Sequence, residues 1–179
     1  MSAPVLEIKD LSVTFDTPDG PVEAVKNLSL TINTGECLGI VGESGSGKSQ
    51  TFLAAAGLLP ENGRAMGSVL FEGEEFLGLP RPALNKERGR KLAFVFQDPL
   101  TALTPHLTIE DQMGEVLAHH FGIGGEEAKK RAVEWLTRVR VPEAARRLKQ
   151  YPHEFSGGMR QRVMIAMAMM GEPALLIAD

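Results

Sequence analysis

Cysteine, tryptophan and tyrosine occur once each in the 179 residues. With Cys37 alone, no internal disulfide and no cysteine-rich metal site can form, which fits a reducing compartment. No segment approaches about 18 consecutive apolar residues, so no membrane span is expected. The first ten residues carry Glu7 and Asp10 and lack an apolar stretch, so a signal peptide is not expected there. A basic excess is also missing: 19 Lys and Arg against 23 Asp and Glu give a net charge of −4. That balance excludes a generally basic nucleic-acid coat, though not a local basic patch. There is no internal repeat and no low-complexity tract. The expectation is a soluble cytoplasmic protein that reaches any membrane through partners.

What is present is ordinary globular composition, 43% hydrophobic and 23% charged, which argues against wholesale disorder. The length suffices for one compact domain with a sizeable core and not for two full ones. Residues 6–15 are rich in β-formers and read as one or two strands. Thr17-Pro18-Asp19-Gly20-Pro21 is a turn, and alternation returns from Val22 to Ile32, so an antiparallel β unit opens the chain. The run 36–41, with Cys37, Leu38, Ile40 and Val41, suits a buried strand of a parallel sheet. A helix is expected over 50–59, ended by Pro60, Asn62 and Gly63. Residues 68–71 read as a strand before a Glu72-Gly73 turn, and 91–96 as a second buried strand. Helical periodicity then dominates over 109–120 and 126–139, where Ala128, Ala132, Trp135, Leu136 and Val139 share a face. Residues 163–170 are apolar all round and predict a buried helix, broken by Pro173. Residues 174–178 form a third buried strand, followed by Asp179.

Gly42-Glu43-Ser44-Gly45-Ser46-Gly47-Lys48-Ser49 fits G-x-x-x-x-G-K-[ST], between a predicted strand and a predicted helix. Glycines permit positive φ and let backbone N–H groups approach phosphate oxygens without Cβ interference. The following helix points its positive end at the anion. Lys48 would reach the β- and γ-phosphates, and the Ser49 hydroxyl would ligate Mg²⁺. The bland alternative is a glycine-rich turn that binds nothing; the strand and helix around it favour the nucleotide. A second glycine motif, Phe155-Ser156-Gly157-Gly158-Met159-Arg160-Gln161-Arg162, opens the 163–170 helix. Ser156 can cap that helix, and by itself the motif reads equally as a capped start or an anion site.

The order of these parts decides between the two. A phosphate loop, Gln97 at the end of a buried strand, a helical insert, Ser-Gly-Gly, and an apolar strand ending in Asp resemble the ATP-binding cassette (ABC) ATPases. The resemblance covers essentially the whole chain, with Phe155 and Met159 standing where the Leu-Ser-Gly-Gly-Gln signature has Leu and Gln. It implies an α/β fold: a P-loop NTPase (RecA-like) core with an N-terminal antiparallel β subdomain and an inserted α-helical subdomain. The expected division is 1–98 for the core with the β subdomain, 99–155 for the helical part, and 156–179 for the signature helix and Walker B strand. Residues 42–49 become the Walker A loop, with Gln50 also at the nucleotide, and Phe15 falls where an aromatic stacks on adenine. Its alternative is a core Phe at a strand end. Gln97 is the Q-loop residue that helps hold Mg²⁺ and the attacking water. Asp179 is the Walker B aspartate that anchors Mg²⁺ through water. Ser156, Gly157 and Gly158 would bind the γ-phosphate of ATP held by a second cassette. Lys48, Gln97 and Asp179 are thus the expected catalytic residues, Ser49, Gln97 and Asp179 the metal set, and ATP and Mg²⁺ the cofactors.

The runs Phe96–Pro105 and Tyr151–Ala168, with Val22-Glu23-Ala24-Val25, look like the oligopeptide/dipeptide/nickel uptake branch, which includes glutathione- and microcin-type peptide importers. Implied partners are integral membrane permease subunits, a second cassette and, indirectly, a substrate-binding protein, at the cytoplasmic face of the inner or plasma membrane. No nucleic acid is expected. The family's catalytic Glu directly follows the Walker B Asp, where this sequence stops, so a fragment of a longer ATPase is expected, inactive by itself. The alternatives are a non-catalytic nucleotide-binding module and a soluble ABC-type ATPase acting on DNA or ribosomes. His106, His119, His120 and His153 lack metal spacing. Cys37 and the methionines of 164–170 are expected in the core, and Arg138, Arg140, Arg146, Arg147 and Lys149 on a solvated face.

Overall fold

The computed structural model describes residues 4–98 and 102–179. Pro99, Leu100 and Thr101 of the importer-like run lie outside the described residues. The chain divides into two compact units, 1–85 and 86–179.

The first unit is built on an antiparallel sheet ordered β2-β1-β3-β4, with β1 (Pro4–Thr17), β2 (Gly20–Asn33), β3 (Gly63–Phe71) and β4 (Glu74–Glu75). The turn expected after Thr17 closes a two-residue hairpin: Thr17 pairs with Gly20, and the Thr17 hydroxyl donates to the Gly20 carbonyl at 2.6 Å. Leu6, Ile8, Leu11 and Val13 of β1 are fully buried, each stabilising the unit by about 1.5–3 kcal/mol relative to exposure. Glu72 and Gly73, both at positive φ, turn β3 into β4. There burial raises the Glu75 pKa, but the Ser68 hydroxyl and the N–H groups of Val69, Leu77 and Phe76 outweigh it, and the net shift is downward.

Helix α1 (Lys48–Ala55) ends earlier than expected. Gly57, in the left-handed region at φ 64°, stops it: Leu58 N–H donates to Leu53 O at 2.7 Å and Gly57 N–H to Ala54 O at 2.9 Å. That pair of bonds satisfies the last carbonyls before Pro60 is reached. The expected strand over 36–41 is not formed either. A strand exists only through its ladder. Among the described residues the sheet of this unit, ordered β2-β1-β3-β4, offers it no rung. Leu38, Ile40 and Val41 are therefore exposed, Val41 to 97%, and Cys37 is exposed rather than in a core.

The second unit holds two parallel strands, β5 (Leu92–Val95) and β6 (Leu175–Ala178), in register from Leu92↔Leu175 to Val95↔Ala178. Its helices are α3 (Ile109–Phe121), α4 (Gly125–Arg138), α5 (Ala144–Arg147) and α6 (Gly157–Met169), with α2 (Arg81–Glu87) at the unit boundary. Thr108 starts α3 through a capping box with Asp111, and Gly122 at φ 67° ends it. The predicted face of α4 buries Ala128, Ala132, Trp135 and Leu136, packing against Leu117 and Val163 in one apolar core. Helix α6 is not buried all round: Val163, Met164 and Ala166 are buried, while Ile165 and Ala168 remain half-buried. It needs only one face against this core, so composition overstated its burial. Met164 and Met170 are core residues as expected, and Met167 and Met169 pack half-buried against the core. Among the described residues no helix is long and apolar enough to cross a membrane.

Candidate nucleotide-binding site

In the first unit the chain between β2 and α1 ends in the glycine-rich loop. Gly47 is the N-cap of α1 at φ 87° and ψ 3°, and Gly45 lies at φ 80°. Among the described residues no side chain caps α1, so the first N–H groups of the helix are left without a side-chain acceptor, as at helix starts that bind anions. A Cβ on Gly47 would meet the Ala24 carbonyl oxygen of β2, and one on Gly42 would come within 2.9 Å of Ser46 Oγ. The loop is thus drawn tight against β2 by glycine. The buried Thr51 hydroxyl donates to the Gly47 carbonyl at 3.0 Å and fixes the loop's exit.

Lys48 curls back over this loop. Its ammonium donates to the carbonyls of Gly42 at 2.8 Å and Glu43 at 2.6 Å and to Ser46 Oγ at 3.3 Å. A cation and the uncapped start of α1 therefore belong to one loop, and together they make the kind of donor set that a polyphosphate needs. Among the described residues the buried Gln50 Oε1 has no hydrogen-bond partner, which leaves an acceptor on the first turn of α1. Beside the loop opens a cavity of about 450 Å³, lined by Val25, Lys26, Ile40, Lys48 and Phe52 among others. Phe15 does not line it; it sits half-buried on β1, with its ring against Gly63, where a Cβ would come within 2.8 Å of Cε1.

In the second unit the parallel register brings Gln97 and Asp179 to one sheet edge. Asp179 directly follows β6 and its N–H donates to the Val95 carbonyl at 3.0 Å; Gln97 lies two residues past the end of β5. Both are exposed. This is the carboxyl edge at which open α/β sheets bind ligands. Ser156 is the N-cap of α6, accepting from Met159 N–H at 3.4 Å, and Gly157 and Gly158 begin the helix. Added Cβ atoms at either glycine would meet nothing within 4 Å. Phe155, which stands where the signature has Leu, is a core residue at 2% exposure.

Two residues of consequence are not evident from the sequence motifs. Gln112 is 5% exposed, accepts from Thr104 N–H at 2.8 Å and donates to the carbonyls of Thr104 at 3.1 Å and Leu107 at 3.0 Å. Its signal was legible: a polar residue on the apolar stripe Ile109, Met113, Leu117. Arg131 donates to the Met170 carbonyl at 3.0 Å, and no local pattern announces that contact. Of the arginines assigned to a solvated face, Arg138 stacks on Trp135 and Arg147 on Phe155. The histidines hold no metal arrangement among the described residues.

A phosphate-loop crown, a carboxylate at the edge of a parallel sheet and a capped Ser-Gly-Gly helix define a P-loop nucleotide-binding cassette. The ABC transporter family model matches residues 25–179, and the chain belongs to that family. It is 55% identical over 175 residues to the oligopeptide transport ATP-binding protein OppD of Salmonella typhimurium, covering 98% of this chain and 52% of that protein. It is 54% identical over 176 residues to OppD of Haemophilus influenzae, covering 98% of this chain and 54% of that protein. The chain thus spans about half the length of these relatives. The dimeric post-hydrolysis structure of the ATP-binding cassette MJ0796 bound to ADP and Pi superposes with a TM-score of 0.86 at 32% identity, over 97% of this chain and 73% of that one. The fold is accordingly that of the ABC ATPase cassettes, mixed α/β with an antiparallel β part and a helical part.

Proposed function

We propose that this chain is the nucleotide-binding portion of the ATP-hydrolysing subunit of an importer for peptides or related small solutes. The observation that carries the reading is the loop: glycine-locked against β2, followed by a helix start with no side-chain cap, and with the Lys48 ammonium folded back over it. The likeness to OppD supports the peptide cargo. In this reading the loop, Glu43, Ser44, Gly45 and Ser46 included, cradles the phosphates. Lys48 exchanges its carbonyl partners for phosphate oxygens, Gln50 offers its free acceptor, and Phe15 stacks on adenine. Ser49, Gln97 and Asp179 are assigned to Mg²⁺, which when bound neutralises charge on the transferred phosphoryl group.

Ser156, Gly157 and Gly158 face nucleotide held by a second cassette. The open space beside both glycines supports this, since nothing among the described residues demands glycine there. Residues 1–98, 99–155 and 156–179 act as nucleotide core, helical docking part and signature-to-Walker B return. Permease subunits are the direct partners and a substrate-binding protein an indirect one, at the cytoplasmic face of the membrane. The 179 residues alone bind nucleotide without turning it over, because the family's general base is not among them.

Titration of the chain with a fluorescent ATP analogue and Mg²⁺ tests the core of this reading. Lys48→Ala is expected to weaken binding about 100-fold, as for a lost charge-assisted phosphate contact. Unchanged affinity would remove the loop from the site and the proposal with it.

A further inference from the structure

Both parallel strands of the second unit are entered through a glycine, and both glycines press on the end of α3. Gly89, at φ 74°, lies in the turn before β5; an added Cβ would come within 2.5 Å of His120 Nε2. Gly171 lies between α6 and β6; an added Cβ would come within 2.8 Å of Phe121 Cζ and 2.9 Å of the Gly89 carbonyl oxygen. Gly171 is not at positive φ, so space alone requires glycine there. The two turns thus touch each other and are gripped by consecutive ring residues.

The grip is continuous with the first rungs of the sheet. Gly89 N–H donates to Leu92 O at 2.8 Å, and Leu175 N–H donates to Lys91 O at 3.0 Å. Arg131 of α4 closes the far side, bonding the Met170 carbonyl just before Gly171 while its guanidinium lies 5.9 Å from the Phe121 ring centroid. Beyond these entries β5 and β6 run for four residues each and deliver Gln97 and Asp179 to their common edge. A four-residue strand is short enough that its entry sets where its exit points.

We propose that His120 and Phe121 are positioning residues for Gln97 and Asp179. Acting through Gly89 and Gly171, the end of α3 fixes the entry of both strands and so couples the helical part of this unit to the two residues assigned to the metal. The role of those two residues rests on the function proposed above; the mechanical link does not.

Gly171→Ala places a methyl group in the clasp without backbone strain. In hydrogen–deuterium exchange on the whole chain, residues 92–98 and 175–179 should exchange about 10-fold faster, with 125–138 unchanged, since the opening is local. In nucleotide titrations the Mg²⁺ concentration for half-saturation should rise about 10-fold, while ATP affinity in chelator stays the same, as for loss of an outer-shell support. Adding Phe121→Leu to Gly171→Ala makes room for the methyl group and should return both readouts towards wild type. A uniform rise in exchange across the unit, or a double variant no better than the single one, would reduce Gly171 to a stability residue and overturn the clasp. Should Gly171→Ala not fold, Phe121→Leu alone must speed exchange at both strand ends; unchanged exchange there would overturn the clasp as well. A wild-type chain that binds no ATP overturns the functional reading while the exchange result still decides the clasp.

Discussion

The chain has two glycine-rich helix starts, and their glycines meet different demands. At the start of α1, Gly47 is left-handed and pressed on a backbone carbonyl, so the fold of the first unit requires it. At the start of α6, Gly157 and Gly158 have ordinary helical φ and empty space where a Cβ would be. The fold would accept alanine at both and gain helix propensity. Glycine there leaves open space beside the helix start, which is what the proposed approach of a second cassette's nucleotide would use. The same residue type in similar motifs is required by the fold in one place and not in the other, and only the surroundings reveal which.

The largest expected effect sharpens this contrast. Gly47→Ala forces an L residue into the left-handed region, costing about 1–2 kcal/mol. It also drives a methyl into a carbonyl that cannot withdraw from its sheet, so a total loss of about 3 kcal/mol is expected in denaturant unfolding. A loss below about 1 kcal/mol would break the distinction. Gly158→Ala should act with the opposite sign, raising stability by up to about 1 kcal/mol. In the full-length protein the same change should abolish ATP-driven dimerisation, checked by light scattering; a dimer that still forms would refute that proposed approach. Ser156→Ala removes a long cap bond of 3.4 Å, and thermal melting should show a loss near the low end for such caps, about 0.5 kcal/mol.

The smallest effect concerns the second unit alone. The pKa of His120 is pushed below its usual 6.5, first by burial and then by the neighbouring His119 ring. The unfolded chain therefore takes up the proton more readily than the folded one. The contribution to stability is full above pH 6.5 and is lost as pH falls through the lower folded value. A melting series from about pH 7.5 to about 5 should show this decline in wild type, flattened in His120→Gln; parallel slopes would contradict it.

How much of this is readable from the chain alone follows from what each element depends on. The first hairpin was legible because Thr17 to Gly20 is a turn by local chemistry. Helices α3 and α4 were legible because Thr108, Gly122 and the Ala128–Trp135 face carry caps and periodicity in the chain itself. The glycine-rich turn into a helix at 42–49 was legible because its backbone geometry lies in consecutive residues. The run 36–41 does not become a strand because an apolar stretch favours burial without supplying a partner. Helix α1 stops short of Pro60 because the left-handed cap at Gly57 acts first. Burial of α6 is less than its composition suggests because an apolar composition has no direction. Gln112 and Arg131 bond to residues between 4 and 39 positions away, and Arg131 in particular leaves no local trace.

By itself, the sequence determined the local geometry: Gly42, Gly45 and Gly47 spaced ahead of Lys48 and Ser49 make a tight loop at a helix start, and Ser156 caps a helix by equally local chemistry. The tertiary structure alone decided which glycines the fold needs, which strands pair, and how Gln97 and Asp179 come to one edge. Those outcomes depend on contacts between distant segments, where the space beside a Cα and the partner of an N–H are set by residues that no local pattern names.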